Sequence, residues 1–407
     1  MTTPRPISRR EFARLAAAAA ALPPLVPSPL DRLRSRTAGL ARGSLVPPGA
    51  PVSPGAGPLS PAWPGYDQAI VIDCLATPGP FNVPNMFAAP YTAAMVANAR
   101  ASGITAVNVT LGAGDNGTAA FVNTVRGIAF AERELEAHGD AFLKVRTAAD
   151  IARARASGRL GLIYGFQDAT MFEDDAGRVD LFHQLGVRIC QLTYNVRNLV
   201  GDGCLEPANG GLSAFGRRVV ARMNAAGMLV DLSHVGERTT LDAIAASTRP
   251  VAVTHSGCKA VNDVPRNKTD DQLRRLAAKG GVVGIYMMPF LRGSGQPGPD
   301  DFVRHVEHAV NTCGEDHVGV GSDLSITPLD LTPEFRALHA GFVRQRRAAG
   351  ISAPGEAEDV FNYVPEFNTP RRMELVADAL ARKGHGSARI LKILGANWQR
   401  LFGEVWA

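Results

Sequence analysis

The sequence predicts a closed barrel of eight parallel β-strands alternating with α-helices, a (β/α)8 or TIM barrel. Eight short apolar runs rich in Val and Ile recur along the chain, and Gly, Asp or Pro residues bound them. The segments between these runs carry apolar residues at i, i+3 and i+4 and close on glycine, as helices do. Strands that are apolar on both sides need cover on both faces, and alternation with helices provides that cover.

The eight predicted strands follow one another in order, with a helical pattern between most neighbours. They are "AIVID" (69–73), "ITAVNVTL" (104–111), "LGLIYGF" (160–166), "VRICQLTY" (187–194), "GMLVDLSH" (227–234), "PVAVTHS" (250–256), "GGVVGIYM" (280–287) and "HVGVGSD" (317–323). A doubly wound open sheet is the alternative architecture. No GxGxxG follows the first strand, however, and eight strands suit closure better.

The N-terminal segment has the pattern of an export signal. Arg9 and Arg10 in "SRREF" precede a run of Ala and Leu over 15–22, and two prolines follow. This pattern predicts a twin-arginine signal peptide over residues 1–22, with an Ala-rich amphipathic helix as the alternative. The run is shorter than the roughly 18 apolar residues that span a bilayer. We therefore expect a soluble periplasmic or secreted protein without stable membrane insertion.

The rest of the chain divides into a linker and one domain. Residues 23–64 contain 11 of the 28 prolines, which predicts a Pro-rich linker, and 65–407 form the predicted barrel. The positive charge that gives the chain its formal net charge of +5 is concentrated in the N-terminal segment, since eight arginines precede residue 43. No nucleic-acid partner is therefore expected. Five cysteines form no CxxC pair, so no thiolate zinc site is indicated, and we expect at least one free thiol.

Polar residues follow most of the predicted strands at the end where barrels carry their active sites. These strand-end residues are Asp73, Thr110 with Asp115, Gln167 with Asp168, Tyr194 with Asn195, His234, His255, Tyr286 and Asp323. The two histidines, His234 and His255, are one strand-helix repeat apart and are expected on neighbouring strands. Imidazole with carboxylate or amide oxygen suits zinc, which lowers the pKa of bound water to about 7.

Two further residues have the chemistry that amide hydrolysis requires. Asp323 at the end of the eighth strand can accept a proton from water and pass it to a leaving amine, although a turn aspartate is the alternative. Arg266 in "PRNKTD" can hold a carboxylate through two hydrogen bonds, although a surface loop cation is the alternative. The long segment 324–370 after the last strand is expected to lie over the strand ends as a lid or an interface arm.

Several stretches resemble the membrane dipeptidase (renal dipeptidase, peptidase M19) family of amidohydrolase-like, metal-dependent barrels. They are "RICQLTYNVRNLVGDGCLEP", "GLSAFGRRVVARMNAAGMLVDLSHVG", "PVAVTHSGCKAV" with "PRNKTD", "HVGVGSD" and "ILKILGANWQRLF". The resemblance runs from about Ile70 to Phe402. It implies a dipeptide or related small-amide substrate, zinc as the cofactor, and a homodimer.

The resemblance also assigns roles to matched positions. His234 and His255 match the two histidines that bind the family's second zinc, and Asp323 matches its catalytic aspartate. Arg266 matches the arginine that holds the substrate carboxylate, and we assign its neighbour Asn267 to substrate binding as well. Tyr194 stands where mammalian members have a histidine that polarises the scissile carbonyl, so its phenol is a candidate donor.

The chain departs from the family at the first zinc. The family's first strand ends in Asp-Gly-His-Asn-Asp, whereas residues 73–77 read Asp-Cys-Leu-Ala-Thr here. Gln167 replaces the glutamate that bridges the two metals, and "SDLSI" replaces "SDFDG". We therefore predict one zinc rather than two, held by His234, His255 and Gln167, with Asp168 or Asp323 supplying negative charge.

Three functions remain open on the sequence. The first is an exported metal-dependent dipeptidase-like hydrolase. The second is a barrel that binds a small peptide-like ligand without turnover, which the loss of ligands beside an intact Arg266 favours. The third is altered chemistry, such as a lyase or isomerase that uses Asp323, Tyr194 and Cys74.

Overall fold

A computed structural model describes residues 63–83, 86–112 and 119–406. The predicted signal peptide (1–22), nearly all of the predicted linker (23–64) and Asp115 lie outside the described residues.

Eight parallel strands close into a barrel, as the sequence predicts. The strands in chain order are β1 (Ile72–Asp73), β2 (Ala76–Thr77), β3 (Ala106–Thr110), β4 (Phe142–Val145), β5 (Leu160–Phe166), β6 (Val187–Gln191), β7 (Leu229–Asp231), β8 (Ala252–Ser256), β9 (Val282–Ile285), β10 (Val318–Val320) and β11 (Leu324–Ser325). Around the barrel the neighbours are β1, β3, β5, β6, β7, β8, β9 and β10. The pair Asp73 and Val320 joins β10 to β1 and completes the circle, which excludes the open-sheet alternative.

Two features of the strands differ from the prediction. β4 pairs in parallel with the first half of β5, beside the place where β6 pairs with its second half. Its sequence "FLKV" is short and includes the half-buried Lys144, so it lacked the apolar pattern of a barrel strand. The stretch after β1, which reads as a turn, contains β2, whose Ala76 and Thr77 pair with Leu324 and Ser325 of β11. This small sheet continues β1 and β10 beyond the rim of the barrel.

Helices connect the strands and surround them. They are α1 (Ala93–Ala101), α2 (Ala120–Ala137), α3 (Ala148–Ser157), α4 (Arg178–Gln184), α5 (Ala214–Ala226), α6 (Glu237–Ala246), α7 (Asp270–Ala278), α8 (Pro299–Cys313), α9 (Pro333–Ala348), α10 (Arg372–Arg382), α11 (Ser387–Leu391) and α12 (Asn397–Val405), with a π-helical turn at Lys392–Ala396 between the last two. Local chemistry sets their ends. At the start of α7, the Thr269 hydroxyl accepts a hydrogen bond from the backbone N–H of Gln272. After the end of α5, Gly227 takes a left-handed conformation (φ 72°).

The last helix closes the barrel at the end opposite to the strand ends. Trp398 of α12 is completely buried, and its indole N–H donates to the Val320 carbonyl at 3.1 Å. It packs in one cluster with residues from the first part of the strands, such as Ile72 and Ala252. Ligands therefore reach the barrel interior from the strand-end side.

Neither a disulfide nor a membrane-crossing helix occurs in the described part of the chain. All five cysteines are free thiols, which includes the free thiol expected from the sequence. Over the same residues, no helix combines the length and hydropathy that a bilayer crossing requires.

Candidate active site

A small pocket opens where the strands end. Five residues singled out by the sequence lie in its wall, Tyr194, Asn195, His234, Arg266 and Asp323, whereas His255 does not. The residues around it are Asn82, Tyr194, Asn195, His234, Arg266, Met288, Phe290, Asp323, Phe342, Arg346, Glu356 and Asn362. The space that it leaves for water is about 20 Å³, room for about one molecule. The segment 324–370 supplies Phe342, Arg346, Glu356 and Asn362, so it covers the strand ends as expected.

His234 is held between an arginine and an asparagine. The Arg266 guanidinium lies 3.1 Å from His234 Nε2, and His234 Nδ1 lies 2.6 Å from the Asn195 side-chain oxygen. Because a guanidinium only donates, Nε2 accepts the bond and the imidazole proton resides on Nδ1, which donates to Asn195. Asn195 itself has a left-handed backbone (φ 61°), a conformation that occurs often at functional sites.

His255 is oriented by a buried carboxylate through a hydroxyl. The Thr254 hydroxyl donates to Asp231 at 2.7 Å and lies 2.8 Å from His255 Nδ1. Since the hydroxyl proton goes to the carboxylate, Nδ1–H donates to the hydroxyl and Nε2 keeps its lone pair. That Nε2 is buried without a hydrogen-bond partner among the described residues. A carboxylate behind an imidazole, with a free nitrogen in front, is the arrangement typical of histidine ligands to metals.

The two imidazoles are close to each other and neutral. Their ring centroids lie 5.0 Å apart on neighbouring strands, as the spacing of His234 and His255 predicts. Burial lowers the pKa of both rings well below the usual value, and the nearby Arg266 guanidinium lowers it further. Both rings therefore carry unprotonated nitrogens at neutral pH.

Arg266 is a buried cation rather than a surface loop residue. It is only 1% exposed, and its Nη1 donates to the Ser233 carbonyl at 3.0 Å. The guanidinium lies over the Tyr286 ring, 5.5 Å from its centroid. Its Nε has no partner among the described residues. One donor of this fork is thus left for another acceptor.

Asp323 lies in the same pocket in a strained backbone conformation. Its φ is 64°, and its amide donates to the Leu75 carbonyl at 2.8 Å. Burial raises the pKa of its carboxyl group to about 7, although the Arg266 and Arg346 guanidinium groups act in the opposite direction. A carboxyl group with a pKa near neutrality can both accept and donate a proton under physiological conditions.

Tyr194 connects the strand ends to a cover, which consists of α9 and the loop after it. Its ring stacks on the His234 ring with centroids 4.2 Å apart, and Arg346 donates to its hydroxyl at 3.3 Å. Arg346 also forms a two-point ion pair with Glu356, with both N–O distances at 2.9 Å. The Tyr194 O–H proton is therefore free to point into the pocket as a donor.

Other predicted residues lie outside the pocket wall. Asn267 accepts from the Tyr286 hydroxyl at 2.5 Å and donates to the Phe290 carbonyl at 3.0 Å, so its amide is engaged on both sides. Gln167 is 5% exposed at the end of β5. Asp168 is held by Thr170 and Asn198, both within 2.8 Å.

The first strand end is also directed away from the pocket. The carboxylate of Asp73 accepts from the Ser322 amide at 2.7 Å and from its hydroxyl at 2.6 Å. Cys74 is fully buried, and burial raises the pKa of its thiol well above the usual value. A protonated, enclosed thiol is a poor nucleophile, which weakens the altered-chemistry alternative that uses Cys74.

The sequence did not indicate Arg346, Glu356 or Asn82 as pocket residues. All three lie outside the barrel strands, where the rule of reading strand ends gives no guidance. The spacing of Arg346 and Glu356, ten residues apart across the end of α9, has no regular period. The sequence offered one indication of these two residues: Arg346 and Glu356 are a basic and an acidic residue within the long segment expected to cover the rim.

Comparisons with known proteins agree with the fold. The sequence model for membrane dipeptidase (peptidase family M19) matches residues 88–332. The cover residues from Phe342 to Asn362 lie beyond the matched range.

Individual relatives cover most of the barrel. An uncharacterized protein in the pqqA 5' region of Klebsiella pneumoniae is 31% identical over 286 residues, 67% of this chain and 93% of that protein. Dipeptidase tcpJ of Claviceps purpurea is 33% identical over 287 residues, 70% of this chain and 60% of that dipeptidase, so the match spans less than two thirds of its length. The solved structure of an amidohydrolase from Pseudomonas aeruginosa aligns with a TM-score of 0.69 at 33% identity, covering 84% of this chain and 98% of that one.

Proposed function

Because this chain belongs to the membrane dipeptidase family, peptidase family M19, we propose that its strand-end pocket hydrolyses a dipeptide or a related small amide with a free carboxylate. The observation that carries the proposal is the meeting of the neutral His234, a buried arginine and an aspartate of near-neutral pKa in one pocket, with the neutral His255 beside His234. These groups supply recognition of a substrate carboxylate and the proton transfer that amide hydrolysis requires.

Arg266 is the proposed carboxylate anchor. Its free Nε–H and its burial favour a strong, charge-assisted hydrogen bond to an anionic ligand. The cations Arg266 and Arg346 both line the pocket, whereas Asp323 and Glu356 are its acidic residues. Since Glu356 is already paired with Arg346, Arg266 is the pocket cation without an ion pair among the described residues, and a ligand carboxylate would bind there.

Proteins of this family are metallopeptidases that generally depend on zinc, and we infer that this chain holds one ion rather than two. His234, His255 and Gln167 would hold it, and the partnerless Nε2 of His255 supports this inference. A bound zinc ion polarises the scissile carbonyl and lowers the pKa of a bound water molecule.

The support for one ion rather than two is the loss of ligands at the first strand end. Within the described ranges, no group of three or more His, Cys, Asp or Glu side chains is placed to hold a metal ion, so an ion at His234 and His255 would also need the Gln167 amide oxygen. Leu75 and Thr77, at the positions of the family's first-zinc ligands, provide no imidazole and no carboxylate. This loss of negative charge favours weaker metal binding than in two-zinc relatives.

Asp323 is the proposed proton-transfer residue. As a carboxylate it accepts the proton of the attacking water, and as a carboxylic acid it returns that proton to the leaving amine. Its pKa of about 7 suits both steps near neutral pH. The Tyr194 hydroxyl is the proposed donor to the scissile carbonyl oxygen, because Arg346 occupies the acceptor side of that hydroxyl.

A second candidate function is ligand binding without turnover. It is favoured by the contact between Arg266 and His234 Nε2, because that nitrogen must be released before it can bind a metal ion. A guanidinium at this position also repels a divalent cation. The same pocket would then recognise a peptide-like carboxylate without cleaving it.

We also propose that the chain is exported through the twin-arginine pathway and acts in the periplasm or outside the cell. The support is the sequence pattern of residues 8–22, two arginines followed by a short apolar run.

A metal-exchange assay tests the proposed function. The protein is stripped with a chelator, dialysed with or without zinc, and assayed with a dipeptide panel. We expect zinc-dependent hydrolysis that falls about a hundredfold or more in His255→Ala. His308→Ala is the matched control, since His308 pairs with Asp270 outside the pocket. Equal rates for wild type and His255→Ala would overturn the role of His255 as a zinc ligand, and no hydrolysis of any dipeptide in the presence of zinc would overturn the hydrolase. Thermal stabilisation by dipeptides without hydrolysis would support the binding alternative.

A further inference from the structure

The cover makes polar contacts with two side chains that line the strand-end pocket. Arg346 of α9 donates to the Tyr194 hydroxyl at 3.3 Å, and its guanidinium carbon lies 5.7 Å from the centroid of the Tyr194 ring. In the loop after α9, the Ile351 carbonyl accepts from the Asn195 side-chain nitrogen at 2.9 Å. Asn195 in turn accepts from His234. The cover is therefore connected by hydrogen bonds to residues that the proposed reaction uses.

Within the cover, Arg346 is held in one orientation. Its Nε and Nη2 donate to the two carboxylate oxygens of Glu356, both at 2.9 Å. Glu356 also accepts from the Ser352 hydroxyl at 3.0 Å and from the backbone N–H of Ala353 at 3.1 Å. The remaining nitrogen, Nη1, is the one that donates to Tyr194. Because a planar guanidinium paired in this way cannot turn without breaking the ion pair, the position of the cover determines where Nη1 lies.

The contact with Arg346 determines what the Tyr194 hydroxyl can do. Among the residues that the structure describes, it is the only hydrogen bond of that hydroxyl. A guanidinium only donates, so the phenol oxygen accepts and its O–H is left to donate elsewhere. A hydrogen bond accepted from a cation polarises the O–H group and strengthens it as a donor. Such a donor suits a carbonyl oxygen that gains negative charge during a reaction.

The Ile351 carbonyl determines the orientation of the Asn195 amide. A carbonyl only accepts, so the Asn195 Nδ2 faces the cover and its Oδ1 faces His234. The amide oxygen then accepts the proton on His234 Nδ1, which leaves the lone pair of this ring on Nε2. Two side chains of the pocket thus take their orientation from a segment outside the barrel.

We propose that Arg346 is a positioning residue for the reaction and that the pocket reaches its reactive arrangement only when the cover is closed. This inference rests on the proposed function, because it concerns the donor to the scissile carbonyl. When the cover opens, Tyr194 loses the cation that directs its hydroxyl and Asn195 loses the acceptor that fixes its amide. Closure over a substrate therefore excludes water and aligns the donor in the same step.

A double-mutant cycle tests the positioning role. Hydrolysis of the best dipeptide of the panel is measured with zinc for wild type, Arg346→Met, Tyr194→Phe and the double variant. We expect Arg346→Met to lower kcat about tenfold with a smaller change in KM, because the contact acts on the reaction rather than on binding. Tyr194→Phe should lower kcat about a hundredfold. In that background, Arg346→Met should cost less than about twofold, because it acts through the missing hydroxyl.

Arg344→Met is the matched control, because Arg344 is an exposed residue of the same helix and pairs with Glu358. It should change kcat by less than about twofold in either background. Arg346→Lys keeps a cation beside Glu356 and should recover part of the lost kcat, and it takes the place of Arg346→Met in the cycle if that variant does not fold. Equal losses from Arg346→Met with and without Tyr194→Phe would overturn the positioning role and leave the hydrolase standing. No hydrolysis by the wild type would overturn both.

Discussion

Asp323 is the residue at which function and stability are most directly opposed. Its folded-state pKa of about 7 lies above the ordinary value of 3.8. The folded protein therefore binds this proton more tightly than the unfolded chain does. The contribution of this carboxyl group to stability is fully present below pH 3.8 and is lost as the pH rises through about 7.

Asp323→Asn should separate these two effects. In metal-free protein at pH 8 we expect the variant to unfold at a higher temperature than wild type. The difference in the free energy of unfolding should be about a few kcal/mol at most, and it should be smaller at pH 5. Hydrolysis should fall by about a hundredfold or more, because the amide accepts no proton. Calorimetry at the two pH values checks the first expectation. A stability difference that is larger at pH 5 than at pH 8 would contradict the raised pKa.

Arg266→Lys tests carboxylate recognition. An ammonium cannot reproduce the planar fork that contacts the Ser233 carbonyl and His234 Nε2. We expect the KM for dipeptides to rise about tenfold or more, corresponding to about 1.4 kcal/mol. An amide analogue without a carboxylate is the control substrate and should lose much less. Equal losses for both substrates would mean that Arg266 does not bind the carboxylate.

At the residue scale, the sequence predicted pocket residues that follow the barrel strands, but it did not predict those in the long segment after the last strand. His234, His255, Arg266, Tyr194 and Asp323 were found from strand ends and from resemblance. Four of them line one pocket, and His255 lies beside His234 with ring centroids 5.0 Å apart. The tautomer of His255 could not be predicted, since it depends on the three-dimensional chain from Asp231 through Thr254.

At the element scale, the cover formed by α9 and the loop after it controls access to the pocket. The Arg346 and Glu356 side chains are 12% and 8% exposed, so their ion pair is largely protected from water. Asn195 also donates to the Ile351 carbonyl at 2.9 Å, which fixes the loop to the strand ends. Because the remaining space suits about one water molecule, substrate entry requires this cover to move.

Glu356→Gln should loosen the cover. Breaking one partner of a buried ion pair leaves an uncompensated charge on Arg346 and costs about 3 kcal/mol. We expect faster amide hydrogen exchange in α9 while the barrel strands keep their protection. Glu358→Gln is the matched control, since the Arg344–Glu358 pair on the same segment is exposed and contributes little. Equal exchange in both variants would show that the buried pair does not hold the cover.

The elements that the sequence missed share a physical cause. All eight barrel strands were predicted because they are apolar on both sides, whereas β4 carries Lys144, whose amine lies over the Tyr164 ring. β2 and β11 are two residues each and are paired only through the long-range contacts of Ala76 with Leu324 and of Thr77 with Ser325. Local periodicity cannot reveal strands that are that short.

At the scale of the whole molecule, the barrel has one accessible end. α12 closes the other end with Trp398, so the strand-end pocket and its cover determine what reaches the interior. The fold was predictable because eight strand-helix repeats suit one closed topology. The proposed number of metal ions does not follow from the fold, because the proposal rests on three side chains, Leu75, Thr77 and Gln167.

The export proposal is also tested on the whole chain. Replacing Arg9 and Arg10 together by lysine should leave the protein in the cytoplasm, because the paired arginines are the feature that the pathway reads. Cell fractionation with an antibody to the chain measures the distribution. Unchanged export of the double variant would exclude the twin-arginine route, and the alternative of a helix within the fold would then be favoured.

The number of zinc ions per chain tests the central claim most directly. The purified protein is stripped, reloaded with zinc, freed of excess metal and analysed by elemental mass spectrometry. We predict about one zinc ion per chain in wild type and in His308→Ala, and almost none in His255→Ala, whose partnerless Nε2 is the best-placed ligand nitrogen. Two ions per chain, or none in the wild type, would contradict a one-metal site at His234 and His255.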